Sequence, residues 1–94
     1  MRRSQWTIEA RQDLAAIDDY YIDLNPEYAT RVGRAAIAAA RFLAEQPLAG
    51  PILTDEARKW SVRGTDYVLL YRPTRTGVQV LRVYHAKQNW RPEE

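Results

Sequence analysis

Apolar and polar positions change period twice along the chain. Residues Gln5 to Glu9 alternate and carry the β-formers Trp6, Thr7 and Ile8, which predicts a short first strand. The period then lengthens. Ala10, Leu14, Ile17, Tyr21 and Leu24 recur at steps of three and four, the stripe of an amphipathic helix over 10–24. Asp13, Asp19 and Asp23 fall on the opposite face, which is expected to meet water. Asn25-Pro26 supplies an N-cap and a first helical residue, and Glu27 suits the start of a helix dipole. A second helix is predicted from Pro26 to Gln46, with Ala29, Val32, Ala36, Ala40 and Leu43 on its stripe and Ile37 beside it. Pro47 stops it, and Gly50-Pro51 marks a loop.

Beyond the loop the pattern turns to β. Strands are predicted at 58–63, 67–72 and 78–85, with turns at Gly64-Thr65-Asp66 and Pro73 to Gly77. Short turns imply antiparallel hairpins, and helices followed by strands imply an α+β domain. The expected order is β-α-α-β-β-β, a helical hairpin packed on one face of a small antiparallel sheet, in a single domain over residues 1–94. Leu14, Ile17, Tyr21, Val32, Leu43, Val80 and Val83 are expected in its core.

Composition removes several classes. No apolar run approaches the ~20 residues of a membrane span, and no apolar h-region follows the basic N-terminus. With no cysteine and one histidine, neither a disulfide framework nor a recognisable transition-metal cluster is expected, and no cofactor. A cytoplasmic location is the default expectation. Charge is more informative by position than in total. Glu9 to Glu27 holds six acids and one base, whereas Ala57 to Glu94 holds eight bases and three acids. The two halves should present opposite electrostatic faces.

Five segments in order resemble the RelE/ParE toxin superfamily, and its ParE-like branch in particular: Asp13-Leu14-x-x-Ile17-x-x-Tyr20, Asn25-Pro26-x-x-Ala29, Leu43-x-x-x-Pro47-x-x-Gly50, Tyr67 to Arg72, and Val80 to His85 followed by Lys87 and Trp90. The resemblance implies the toxin of a type II toxin–antitoxin pair. It implies a cognate antitoxin, of ribbon-helix-helix ParD-like type, forming a hetero-oligomer with it. RelE-like members cut mRNA on the ribosome, and ParE-like members inhibit DNA gyrase by protein contact.

Metal-free RNA cleavage needs groups that move protons and stabilise a crowded phosphate. Cleaving relatives carry an arginine where Val68 stands and a lysine where Ser61 stands, and a basic run that is diluted here to His85-Ala86-Lys87. The nuclease set would be His85, Lys87, Lys59 and Arg82, and it is incomplete. The reading therefore favours gyrase inhibition, with a RelE-type endoribonuclease as the alternative.

For a target, Arg58, Arg63, Arg82, His85, Lys87, Trp90 and Arg91 are the candidate contacts. Each has a plainer reading. Arg82 in an apolar strand could pair with an acid on a helix, His85 could bond backbone at the strand end, and the Arg58–Arg63 bases could guard a sheet edge. Trp60 is expected to pack in the core. For an antitoxin, Leu14, Ile17, Tyr21, Val32, Ala36 and Ala40 on the alanine-rich hairpin are the candidates. No direct DNA binding by the toxin alone is expected.

Overall fold

A computed structural model describes residues 2–87. Strand β1 (Arg3–Trp6) leads into helices α1 (Ile8–Tyr21) and α2 (Pro26–Glu45), followed by β2 (Ile52–Thr54), β3 (Ala57–Ser61), β4 (Tyr67–Thr74) and β5 (Gly77–His85). The five strands form one sheet in the order β1-β5-β4-β3-β2. All neighbours are antiparallel except β1 and β5, which run parallel. Both helices pack on one sheet face. The α+β architecture matches the expected one, with the short edge strand β2 added.

Several boundaries differ from the sequence expectation. The first strand ends at Trp6 rather than Glu9, because Thr7 caps a helix: its hydroxyl accepts the Ala10 N–H at 3.0 Å and donates to the Leu81 carbonyl at 2.8 Å. Ile8 thus begins α1 and stays 70% exposed. Helix α1 ends at Tyr21, not residue 24, where the Leu24 and Asn25 N–H groups fold back onto the Tyr21 carbonyl. Leu24 leaves the stripe and is exposed. Asn25 caps α2 by accepting the Tyr28 N–H at 3.1 Å. In the last hairpin, pairing continues through Pro73↔Val78 and Thr74↔Gly77, which leaves only Arg75-Thr76 as the turn.

The core lies between α2 and the sheet. Ala29, Val32, Ala36, Ala40 and Leu43 are all buried, facing Leu69, Tyr71, Val78, Val80 and Val83. Ile17 is buried too, but Leu14 and Tyr21 are only partly so. Trp60 is half-buried against the core and stacked on Phe42, with centroids 5.3 Å apart. The Pro47–Pro51 loop is fastened by two β residues. The buried Tyr71 hydroxyl donates to the Pro47 carbonyl and accepts the Gly50 N–H, both at 2.9 Å. Arg58 donates to the Gly50 and Leu48 carbonyls at 2.7 and 3.2 Å. A Cβ on Gly50 would lie 2.3 Å from the Lys59 carbonyl oxygen, so only glycine fits.

A bulge sets which β5 side chains face the helices. The partner of Leu70 is Arg82 and that of Tyr71 is Val80, which leaves Leu81 unopposed. Val80 and Val83 therefore both reach the core at a spacing of three, and Arg82 and Tyr84 take the open face.

Candidate functional site

The sequence reading placed Asp13 on a water-facing side of α1. Instead it lies against β5, and the reason is a gap in the ladder. Strand β1 covers β5 only as far as Val80. From there α1 takes over: the Thr7 N–H bonds the Val80 carbonyl at 3.0 Å, the Thr7 hydroxyl bonds Leu81, and Asp13 Oδ2 accepts the Val83 N–H at 2.9 Å. The same carboxylate receives Arg82 in a fork, Nε to Oδ2 at 2.7 Å and Nη2 to Oδ1 at 2.9 Å. These bonds to Asp13 raise the guanidinium pKa, with burial opposing. Arg82 is thus held as an ion pair across a helix–strand junction, the plainer of its two sequence readings.

The other candidate nuclease residues do not converge on Arg82. Lys59 and Arg82 share the open face, but the register Lys59↔Leu70↔Arg82 puts buried Leu70 between them. Two strand spacings separate their backbones, about 10 Å. His85 pairs with Tyr67 and falls on the helix side of the sheet, its ring edge-on to the Tyr67 ring at 5.3 Å. Its Nδ1 accepts the Lys87 N–H at 3.1 Å. Val68 is buried and apolar at the position where cleaving relatives carry arginine. Among the described residues no group of three or more His, Asp and Glu side chains is placed to hold a metal ion. No described helix is long and apolar enough to cross a membrane.

The candidate target contacts also separate. Arg58 lies on the helix side, where its guanidinium holds the Pro47–Pro51 loop through the Leu48 and Gly50 carbonyls. Lys59, Arg63 and Lys87 are exposed. Trp90 and Arg91 lie outside the described residues. On the open face, Leu70, Leu81, Arg72 and Arg82 line a depression of about 620 Å³ whose rim carries Glu9, Asp55 and Glu56.

The alanine-rich hairpin needs a correction as well. Ala36 and Ala40 are 0% exposed, packed against the sheet, and offer a partner nothing. The reason is that the small side chains let α2 sit close on its own strands, not on another helix. What the hairpin does present is a mostly apolar groove of about 440 Å³ between α1 and α2. Leu14, Ile17 and Val32 line it, as expected, joined by Trp6 and Ile37, and Arg11 and Asp18 supply charge. Tyr21 is not among its lining residues. It contacts Tyr20 and Tyr28 edge-on at 4.9 and 4.8 Å.

Sequence reasoning missed Asp13 and Thr7 as the residues that complete the β5 edge. A signal for the first was present, since an arginine in an apolar strand calls for a carboxylate from a neighbouring element.

The family sequence model for the ParE toxin of the type II toxin–antitoxin system parDE matches residues 5–90. Toxin RelE2 of Caulobacter vibrioides is 35% identical over 86 residues, spanning 92% of this chain and 97% of that protein. A solved chain from the chromosomal ParDE TA system of P. aeruginosa superposes with a TM-score of 0.76 at 26% identity, covering 90% of this chain and 96% of that one. With the fold, the helical hairpin and the match along nearly all its length in agreement, the chain belongs to the ParE toxin family of type II toxin–antitoxin systems.

Proposed function

We propose that this toxin acts by binding DNA gyrase through protein contact and is held inactive by a cognate, ParD-like antitoxin seated on the α1–α2 groove. The observation that carries the first part is the dispersal of the candidate cleavage groups. Arg82 is clamped by Asp13, Lys59 lies two strands away across Leu70, and His85 stands on the opposite sheet face. A general acid–base mechanism needs its groups within hydrogen-bond reach of one substrate position. A contact inhibitor has no such requirement, because a few anchor residues carry its binding energy. The groove supports the second part: it is mostly apolar and lies between two helices, the kind of surface that takes the apolar face of an amphipathic partner helix.

The test is a pair of reconstituted assays on the purified toxin. Inhibition of gyrase supercoiling, with accumulation of cleaved plasmid and no mRNA cleavage on programmed ribosomes, is the expected result. Ribosome-dependent mRNA cleavage with untouched gyrase would overturn the proposal in favour of the endoribonuclease. Added antitoxin should relieve the gyrase effect.

A further inference from the structure

Strand β3 has an edge that β2 covers only in part. β2 pairs with Ala57 and Arg58, and beyond it the Lys59 N–H bonds the Pro51 carbonyl at 3.2 Å. On the other side of β3 the Val62 N–H bonds the Tyr67 carbonyl at 2.9 Å. Antiparallel bonding alternates, so Trp60 and Val62 bond β4. Ser61, between them, turns its N–H and carbonyl outward past the end of β2, where no described strand meets them. Pro51, Lys59, Trp60, Ser61 and Arg63 line a depression of about 410 Å³ at this edge, two cations and no acid among them. Lys59 and Arg63 are exposed, and among the described residues neither has an ion-pair partner. Trp60 is half-buried with one ring face on Phe42, which is itself 46% exposed.

We propose that this edge takes an extended, acidic segment of a partner polypeptide, added to β3 as a strand centred on Ser61. The open N–H and carbonyl supply the main-chain bonds of strand addition. Lys59 and Arg63 stand two residues to either side of Ser61, so carboxylates at the matching positions of the added strand meet them as opposite-charge pairs. Apolar residues between those carboxylates fall on the side of Trp60 and Phe42. Other occupants fit less well. A second copy pairing symmetrically about Ser61 would bring Lys59 and Arg63 opposite each other, and like charges so placed repel. A single-stranded nucleic acid would answer the cations but leave the strand edge unpaired, and Phe42 already takes one face of the indole. Charges that only kept other strands away would need no depression with aromatic surface beside the open amide. The assignment is independent of whether gyrase is the target.

The experiment is an NMR titration of the ¹⁵N-labelled full chain, at low salt, with acetyl-Glu-Val-Thr-Val-Glu-amide. Its controls are the same peptide with lysine for glutamate, the same peptide N-methylated at Thr and the following Val, and octauridylate. The acidic peptide should shift the Lys59, Trp60, Ser61 and Arg63 resonances saturably and slow exchange of the Ser61 N–H. The lysine and N-methyl peptides should not. Lys59→Gln combined with Arg63→Gln should weaken binding about three- to tenfold, the joint worth of two exposed ion pairs. Ser61→Pro removes the outward N–H without removing a bond to β4. It should abolish saturable binding while the spectrum elsewhere stays that of the parent. Equal binding of the N-methyl peptide would show charge attraction without strand pairing and overturn the proposal. So would equal binding of the lysine peptide, or the absence of any saturable shift with the acidic one. Saturable octauridylate binding at these residues, with none by the acidic peptide, would replace it with a nucleic-acid site.

Discussion

At the scale of single residues, much of the chain's specificity lies in side chains that satisfy backbone groups. Tyr71 is the clearest case, being buried in the sheet with its hydroxyl serving both ends of the Pro47–Pro51 loop. Tyr71→Phe keeps the ring and leaves the Gly50 N–H unpartnered in a buried place. It should cost about 1–3 kcal/mol, read as a lower denaturant midpoint at unchanged m-value. A loss below a few tenths would mean that water replaces the hydroxyl. Tyr67 makes a pH prediction. Burial first, and then the neighbouring Tyr21 phenol, raise its pKa above the ordinary tyrosine value of about 10. The unfolded chain therefore releases this proton at lower pH than the folded one does. Stability should be whole below about pH 10 and fall as pH rises beyond it, and Tyr67→Phe should flatten that fall. Equal alkaline slopes in parent and variant would assign the loss to other groups.

At the scale of elements, the period of apolar residues carried most of the information. The α2 stripe follows from its period because it buries one continuous face, and β4 and β5 follow from their dense runs of β-formers, β4 being buried on both faces from Tyr67 to Tyr71. Three features were less legible, and all depend on partners distant in sequence. Thr7 reads as a β-former until the Leu81 carbonyl is placed beside it. Asp13 reads as solvated until β1 stops short and the Val83 N–H needs an acceptor. Strand β2 is three residues long and exists through pairing with β3. The candidate site was legible in part. Leu14, Ile17 and Val32 do line a groove, whereas Ala36 and Ala40 face inward because alanine's small size serves close packing on the sheet. Ile37 provides the test at this scale. It lines the groove and is 44% exposed, so Ile37→Asp should leave the fold intact. It should weaken the antitoxin complex about tenfold or more, the loss expected for an apolar anchor. Unchanged affinity by calorimetry would move the antitoxin off this groove.

At the scale of the whole molecule, charge and mechanism meet. The acidic stretch lies on α1 and the hairpin, while the basic second half makes up most of the sheet. That sheet looks suited to RNA by sign alone, but sign does not arrange a proton transfer. If the toxin were a nuclease, His85 would have to move a proton or stabilise phosphate charge. His85→Gln would then lower cleavage about 10²–10⁴-fold, and growth inhibition would vanish with it. On the contact reading His85 is a strand-end residue that packs on Tyr67 and accepts the Lys87 N–H, so His85→Gln should leave toxicity nearly intact. Truncation after Ala86 makes the opposite demand. It removes Lys87 together with Trp90 and Arg91, and tryptophan and arginine are types enriched among interface anchors. Among the described residues, the core between the helices and the sheet is built without Lys87. The truncated chain should therefore keep its circular dichroism spectrum and melting cooperativity, yet lose gyrase inhibition about tenfold or more. Both variants should be measured by growth arrest on induction and by supercoiling in vitro, with thermal melts as the control for folding. A folded His85→Gln chain that has lost all toxicity, beside a truncation that remains fully toxic, would reverse the ranking and make the endoribonuclease the better account.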